Sequence, residues 1–289
     1  MRKTTALRRM IEEKEFIYTA GAYDALSGKM IERAGFDAVF TTGFGVSASF
    51  LGLPDAELYT ATENLMVVQN ISNAVDVPVI ADADTGYGNA INVMRTVRSF
   101  ENAGIAGITL EDQLVPKRCP LGITTKPELI PIEEGIAKIK AAVDARTDPD
   151  FVIIGRTDAE GDEAVERANA YIEAGADFIQ PLSYVNGDEY GLVKFGKSIK
   201  APISLQMIKY AENGLPEELL REMNCKFVHF PLVSLLLTSA AIQKGLNEVV
   251  TTRKTKEIQG DMMTLNEFKE IIGFKEIEEL QEKYLSAKV

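Results

Sequence analysis

The chain has 289 residues, 46% hydrophobic and 26% charged, values that fit a globular protein and exclude a low-complexity or fibrous one. Its net charge of -12, from 31 Lys and Arg against 43 Asp and Glu, argues against a nucleic-acid partner and against attraction to anionic membranes. Two cysteines, Cys119 and Cys225, are too few for a disulfide framework and point to a reducing compartment, read here as the cytoplasm.

The N-terminal stretch "MRKTTALRRMIEEKEF" carries charges but lacks the apolar centre of a secretory signal. Eight apolar strand-like segments follow in chain order. They lie in "FIYTAG" (16–21), "IERAGFDAVFTT" (31–42), "VPVIADAD" (77–84), "FENAGIAGITLED" (100–112), "FVIIGRTD" (151–158), "IEAGADFIQPL" (172–182), "APISLQ" (201–206) and "LREMNCKFVHFP" (220–231). In the second, fourth and sixth, a helical stretch ends in Ala-Gly before the strand, since glycine supplies the left-handed turn at a helix end. In the eighth, Asn224 takes that place.

Short strands that are apolar on both faces, each followed by an amphipathic helix, suit a parallel sheet covered by helices. Eight such units predict a TIM (β/α)8 barrel, with 1–289 as a single domain and 247–289 as a helical C-terminal extension. The most apolar run, "FPLVSLLLTSAAI" (230–242), is broken by Ser234, Thr238 and Ser239. It also falls short of the roughly 20 residues a membrane span requires.

A barrel of this kind carries its site at the C-terminal ends of its strands. Polar groups gather there: Tyr23 and Asp24, "TTGFG" (41–45), Asp82 and Asp84, Glu111 and Asp112, and Arg156 with Asp158. Asp82, Asp84 and Glu111 are hard oxygen donors with no His or Cys beside them, a set that suits Mg2+ or Mn2+. The competing reading is that each carboxylate caps the helix that follows it. Gly43, Gly45, Gly86 and Gly88 would let backbone amides approach an anion, or simply serve turn geometry. The loop "EDQLVPKRCPLG" (111–122) sets Lys117 and Arg118 beside Cys119, and neighbouring cations lower a thiol's pKa. An exposed basic loop with an incidental cysteine is the alternative. His229 suits a packed core position as well as a functional one, and Cys225 reads as structural.

Taken together and in order, "YTAGAYDALSGKMIERAGFDAVFTTGFG", "GLPD" (52–55), "DADTGYGN" (82–89), "EDQLVPKRC" (111–119) and "IIGRTDA" (153–159) resemble the isocitrate lyase and phosphoenolpyruvate mutase superfamily. The resemblance implies a barrel whose eighth helix is exchanged with a neighbouring subunit in a homotetramer, a Mg2+ cofactor and a small anionic carboxylate substrate. It implies Asp84 as the direct metal ligand, with Asp82 and Glu111 acting through water. Thr42, Gly43 and Phe44 fall on the substrate-carboxylate loop, and Tyr23 and Arg156 on groups that hold substrate oxygens. Asp55 matches the aspartate of the "LPD" block. Lys117 and Cys119 match the catalytic loop of the lyase branch, the cysteine being its general acid.

The sequence departs from that branch where Pro120 and Leu121 replace a Gly-His pair. It departs again at Leu182 and Gln206, where isocitrate-type lyases carry a glutamate and an asparagine. The resemblance therefore implies a substrate smaller and more apolar than a tricarboxylate. A 2,3-dimethylmalate-like acid, cleaved between carbons to pyruvate and propionate, fits. Oxaloacetate decarboxylase, methylisocitrate lyase and phosphonomutase activities are the alternatives within the family. A barrel that only binds a metabolite is the alternative outside it.

Overall fold

The structure is a computed structural model and describes residues 1–122, 126–181, 189–208 and 214–285. The chain runs α1 (Lys3–Glu13), β1 (Ile17–Ala22), α2 (Ala25–Arg33), β2 (Ala38–Thr41), α3 (Gly43–Val46), α4 (Ala61–Ala74), β3 (Val79–Asp82), α5 (Ala90–Asn102) and β4 (Gly107–Glu111). It continues with α6 (Ile132–Ala145), β5 (Val152–Thr157), α7 (Gly161–Glu173), β6 (Phe178–Pro181), α8 (Glu189–Ser198), β7 (Ile203–Gln206), α9 (Glu217–Glu222) and β8 (Cys225–Phe230). After these come α10 (Val233–Thr252), α11 (Leu265–Ile272) and α12 (Phe274–Leu285). The eight strands pair in parallel, in sequence order, and β8 closes on β1. This is the expected TIM barrel. One compact unit spans Met1–Leu235 and a second Leu236–Val289.

The turns into the strands follow the sequence pattern: Gly35, Gly104, Gly175 and Asn224 all have left-handed φ, between +56° and +106°. Side chains then alternate along each strand. In β5, Val152 and Ile154 join the cluster inside the barrel, while Ile153 joins the one beneath the helices. The same period carries Arg156 inward at the strand's last turn. Leu7 of α1, fully buried, belongs to the inner cluster. Thr4 and Arg8 bond to Asp148, Phe151 and Asp177, which precede β5 and β6, so α1 closes the N-terminal end of the barrel.

Between the apolar floor and the rim lies a polar layer. His229 is fully buried, with Nδ1 2.6 Å from Thr19 Oγ1 and Nε2 2.7 Å from Ser204 Oγ. Burial pushes its pKa down to about 3, so it is a neutral cross-brace, the core reading of this residue. Cys225 is buried too, its thiol pushed up to about 12 by desolvation.

Candidate active site

Of the carboxylates at the rim, Asp24 caps α2, but Asp82, Asp84 and Glu111 cap no helix. Asn89 caps α5, and Pro131 precedes α6, which leaves Asp82, Asp84 and Glu111 free for another role. Asp82 ends β3, and its side chain accepts the backbone N–H groups of Gly43 (3.2 Å) and Asp84 (3.1 Å). Asp84 takes a left-handed φ of +48° and Tyr87 one of +61°. Such conformations are costly for non-glycine residues and persist where surrounding contacts impose them. Here the Tyr87 hydroxyl donates to Asp84 Oδ2 at 2.7 Å, and Asn64 Nδ2 donates to the Tyr87 oxygen and to the carbonyl of Asp82. Gly43 packs against the pair: a Cβ there would stand 2.8 Å from the Tyr59 hydroxyl and 3.0 and 3.1 Å from the Asp84 and Asp82 oxygens.

Lys117 reaches into this group from the 111–122 loop. Its ammonium pairs with Asp55 at 2.9 Å and with Asp84, and lies 4.0 Å from Glu111. Burial alone would lower its pKa, but the pull of Asp84, Glu111, Asp82 and Asp55 outweighs that and holds it well above its usual value. Arg156, opposite Glu111 in the β4–β5 register, pairs with it at 2.7 Å and is held charged in the same way, with Asp158 its strongest partner. Burial raises Asp82, and raises Glu111 to about 8, despite both cations.

Among the described residues no three ligating side chains are already drawn together as a chelate. The donor set nevertheless fits a hard divalent cation. Asp84 Oδ1 and both Glu111 oxygens are buried with ion-pair contacts from Lys117 and Arg156 but no directed hydrogen bond. Five carboxylates, those of Asp55, Asp82, Asp84, Glu111 and Asp158, face two cations. That surplus of buried negative charge calls for compensation.

Above the carboxylates lies one cavity. Thr42, Phe44, Asp55, Asp82, Lys117, Cys119, Arg156 and Gln206 all line it, which brings together eight of the residues expected from sequence. Gly43, Asp84 and Glu111 sit behind its wall, as the contacts above show. Tyr23 is buried against Gly45 and does not reach the cavity lining. Leu182 lies outside the described residues. Seven further lining residues escaped the sequence reading as contacts: Phe40, Gln113, Pro120, Leu121, Ile208, Pro231 and Leu232. Six of them are apolar, and the Pro120-Leu121 departure was their one visible signal. The cavity measures about 40 Å3. That is room for a few waters, at roughly 10–15 Å3 each.

One expectation is overturned. The cations beside Cys119 do not lower its pKa; burial, seconded by Asp55, pushes the thiol up to about 11 against the weaker pull of Lys117 and Arg156. Desolvation exceeds attraction because Lys117 is already committed to Asp55 and Asp84. Cys119 is therefore a neutral thiol with a proton to give, rather than a ready nucleophile.

Residues 7–250 match the family model for phosphoenolpyruvate phosphomutase. The chain belongs to the phosphoenolpyruvate mutase and isocitrate lyase superfamily. It is 39% identical to a 2,3-dimethylmalate lyase of Eubacterium barkeri, with 100% of both chains covered. It is 38% identical to a 2-methylisocitrate lyase of Aeropyrum pernix, over 94% of this chain and 88% of that one. Matched along its length by such proteins, it is an enzyme of that superfamily's lyase group. A solved phosphonopyruvate hydrolase, in complex with oxalate and Mg2+, superposes with a TM-score of 0.89 at 32% identity, covering 99% of this chain and 100% of that one.

Proposed function

We propose that this superfamily lyase cleaves a small 2-hydroxy dicarboxylate of the 2,3-dimethylmalate type into pyruvate and a carboxylate such as propionate. The observation that carries the reading is the Cys119 thiol, which burial pushes up, on the same cavity wall as Arg156 and Asp82, beside the apolar Leu121, Ile208 and Leu232. Apolar walls accommodate methyl groups that a third carboxylate binder would not.

In the reaction the 2-hydroxyl proton leaves to a rim carboxylate, the freed oxygen pair forms the second C2–O bond, and the C2–C3 pair moves onto C3. The Cys119 Sγ proton then goes to C3, which completes the released carboxylate; solvent returns a proton to the thiolate and takes one from the rim carboxylate. Arg156, fixed by two neighbouring carboxylates, offers positive charge to the oxygen of the forming 2-oxo acid, and such preset charge is usually the largest catalytic term. Lys117, held charged, balances Asp84 and Asp55 and anchors the loop above them. Thr42 and Gln206 offer neutral polar contacts to the substrate carboxylates from the cavity wall. Mg2+ or Mn2+, held by Asp84 with Asp82 and Glu111, supplies further positive charge for the developing oxyanion when bound. The Mg2+ in the phosphonopyruvate hydrolase complex supports this assignment.

Likeness to that hydrolase also favours a second reading, bond cleavage in a 3-carbon or 4-carbon 2-oxo acid. A Mg2+-dependent turnover assay separates the two, using 2,3-dimethylmalate, citramalate, methylisocitrate, oxaloacetate and phosphonopyruvate. The reading requires a methyl-substituted malate to be turned over best. Preference for oxaloacetate or phosphonopyruvate would replace it.

A further inference from the structure

Gln113 follows β4 and is buried, and its amide faces two different partners. On one side Oε1 accepts the backbone N–H of Arg118 at 2.9 Å, one residue before Cys119. On the other, Nε2 donates to Asp158 Oδ2 at 2.5 Å. Asp158 in turn grips Arg156 through both oxygens, at 2.9 Å to Nε and 2.9 Å to Nη2. A bidentate grip fixes the plane of a guanidinium as well as its position. Its remaining Nη1 meets Glu111. An amide is the group this place needs, because it must accept from an N–H and donate to a carboxylate at once.

We propose that Gln113 is a positioning residue that ties the backbone of the cysteine-bearing segment to the Arg156 guanidinium through Asp158. With the segment down, the Arg118 N–H holds the amide oxygen on its own side, so the amide nitrogen faces Asp158. With the segment lifted, the amide oxygen loses the Arg118 donor and only Asp158 still holds the amide, so the link from the segment to Arg156 is broken. The Arg156 guanidinium and the backbone next to Cys119 thus share one chain of hydrogen bonds. The segment's other anchors, from the Lys117 N–H to Glu57 Oε2 at 3.1 Å and from the Lys117 ammonium to Asp55 and Asp84, run to carboxylates other than Asp158.

The kinetic arm of the test rests on the lyase reading; the labelling arm does not. N-ethylmaleimide labelling of Cys119, followed by mass spectrometry, reports how often the segment lifts, while Cys225 stays buried. Gln113→Leu and Asp158→Asn should each raise the labelling rate by about tenfold, the scale of one hydrogen bond to a charged group. The double variant should label no faster than the faster single one, because both break the same chain. Unchanged labelling in Gln113→Leu, or single effects that multiply in the double, would overturn the proposal. On the best acid of the panel, Gln113→Leu should lower kcat by about 10- to 100-fold with KM within about threefold, the signature of lost positioning. Gln113→Glu keeps the acceptor for Arg118 but no donor, so it should label near the wild-type rate yet share the kcat loss; full kcat in that variant would equally overturn it. Should wild type turn over none of the acids, the lyase reading fails while the labelling arm still decides this one.

Discussion

At the scale of single residues, Cys119 carries the sharpest consequences. A carbanion released by C–C cleavage needs a placed acid, and general acid catalysis contributes about 10²–10⁴ in rate. Cys119→Ser keeps the size but offers a far weaker acid, so lyase turnover should drop by about that range with an unchanged melting temperature; near-normal turnover would remove the thiol from the mechanism. Its ionisation is separately testable. Alkylation requires the thiolate, and a thiol pushed up to about 11 stays protonated at neutral pH. The iodoacetamide rate should therefore climb about tenfold per pH unit from 7 to beyond 10. A plateau reached by pH 9 would show that the neighbouring cations win after all. Asp84 is the third residue to test, since Asp84→Ala should abolish turnover while the fold persists, and EDTA should do the same to wild type, reversed by Mg2+ or Mn2+. Full activity in excess EDTA would dismiss the cation.

At the scale of elements, β1, β7 and β8 are braced by a histidine that folding keeps neutral. Its folded pKa of about 3 lies below the unfolded value of roughly 6.5, so the unfolded chain binds the extra proton between those limits. Its stabilising contribution is complete above about pH 6.5 and declines as pH falls toward 3, on the order of 1 kcal/mol per unit. Chemical denaturation at pH 7 and pH 5 should show that decline in wild type and a flatter response in His229→Gln; equal slopes would mean the imidazole is charged in the fold. The strands and their helix-ending glycines were legible in the sequence because period-two burial and left-handed turns leave local marks. The carboxylates at the strand ends were legible for the same reason, as polar residues at the last inward position. What local pattern could not reveal was contact made across the barrel mouth: Tyr59 and Tyr87 around Asp84, Gln113 beneath Arg118, and the apolar wall of Ile208 and Leu232. The direction of the Cys119 shift was hidden likewise, because it depends on burial and on which carboxylates have already claimed Lys117.

At the scale of the whole molecule, α10 raises the remaining question. Of its twenty residues only Leu235 is buried, although the helix is rich in leucine, isoleucine and valine. Ile242, Leu246 and Val250 repeat at four-residue spacing and are 55–65% exposed, with Leu236 and Leu237 at 57% and 67%. Residues four apart share one helix face, so these side chains form a stripe rather than scattered exposures. A contiguous apolar stripe is the kind of surface that protein–protein contacts use. No helix among the described residues is long and apolar enough to cross a membrane. We propose that the cover is a second copy, by exchange of this helix within a homotetramer. Sedimentation equilibrium at micromolar concentration should then give four times the 31.7 kDa chain mass. Leu237→Asp combined with Leu246→Asp should shift the population toward monomer and make the melting temperature depend on protein concentration, since burial gained in assembly stabilises by mass action. A monodisperse wild-type monomer would leave the stripe without a partner and end the proposal.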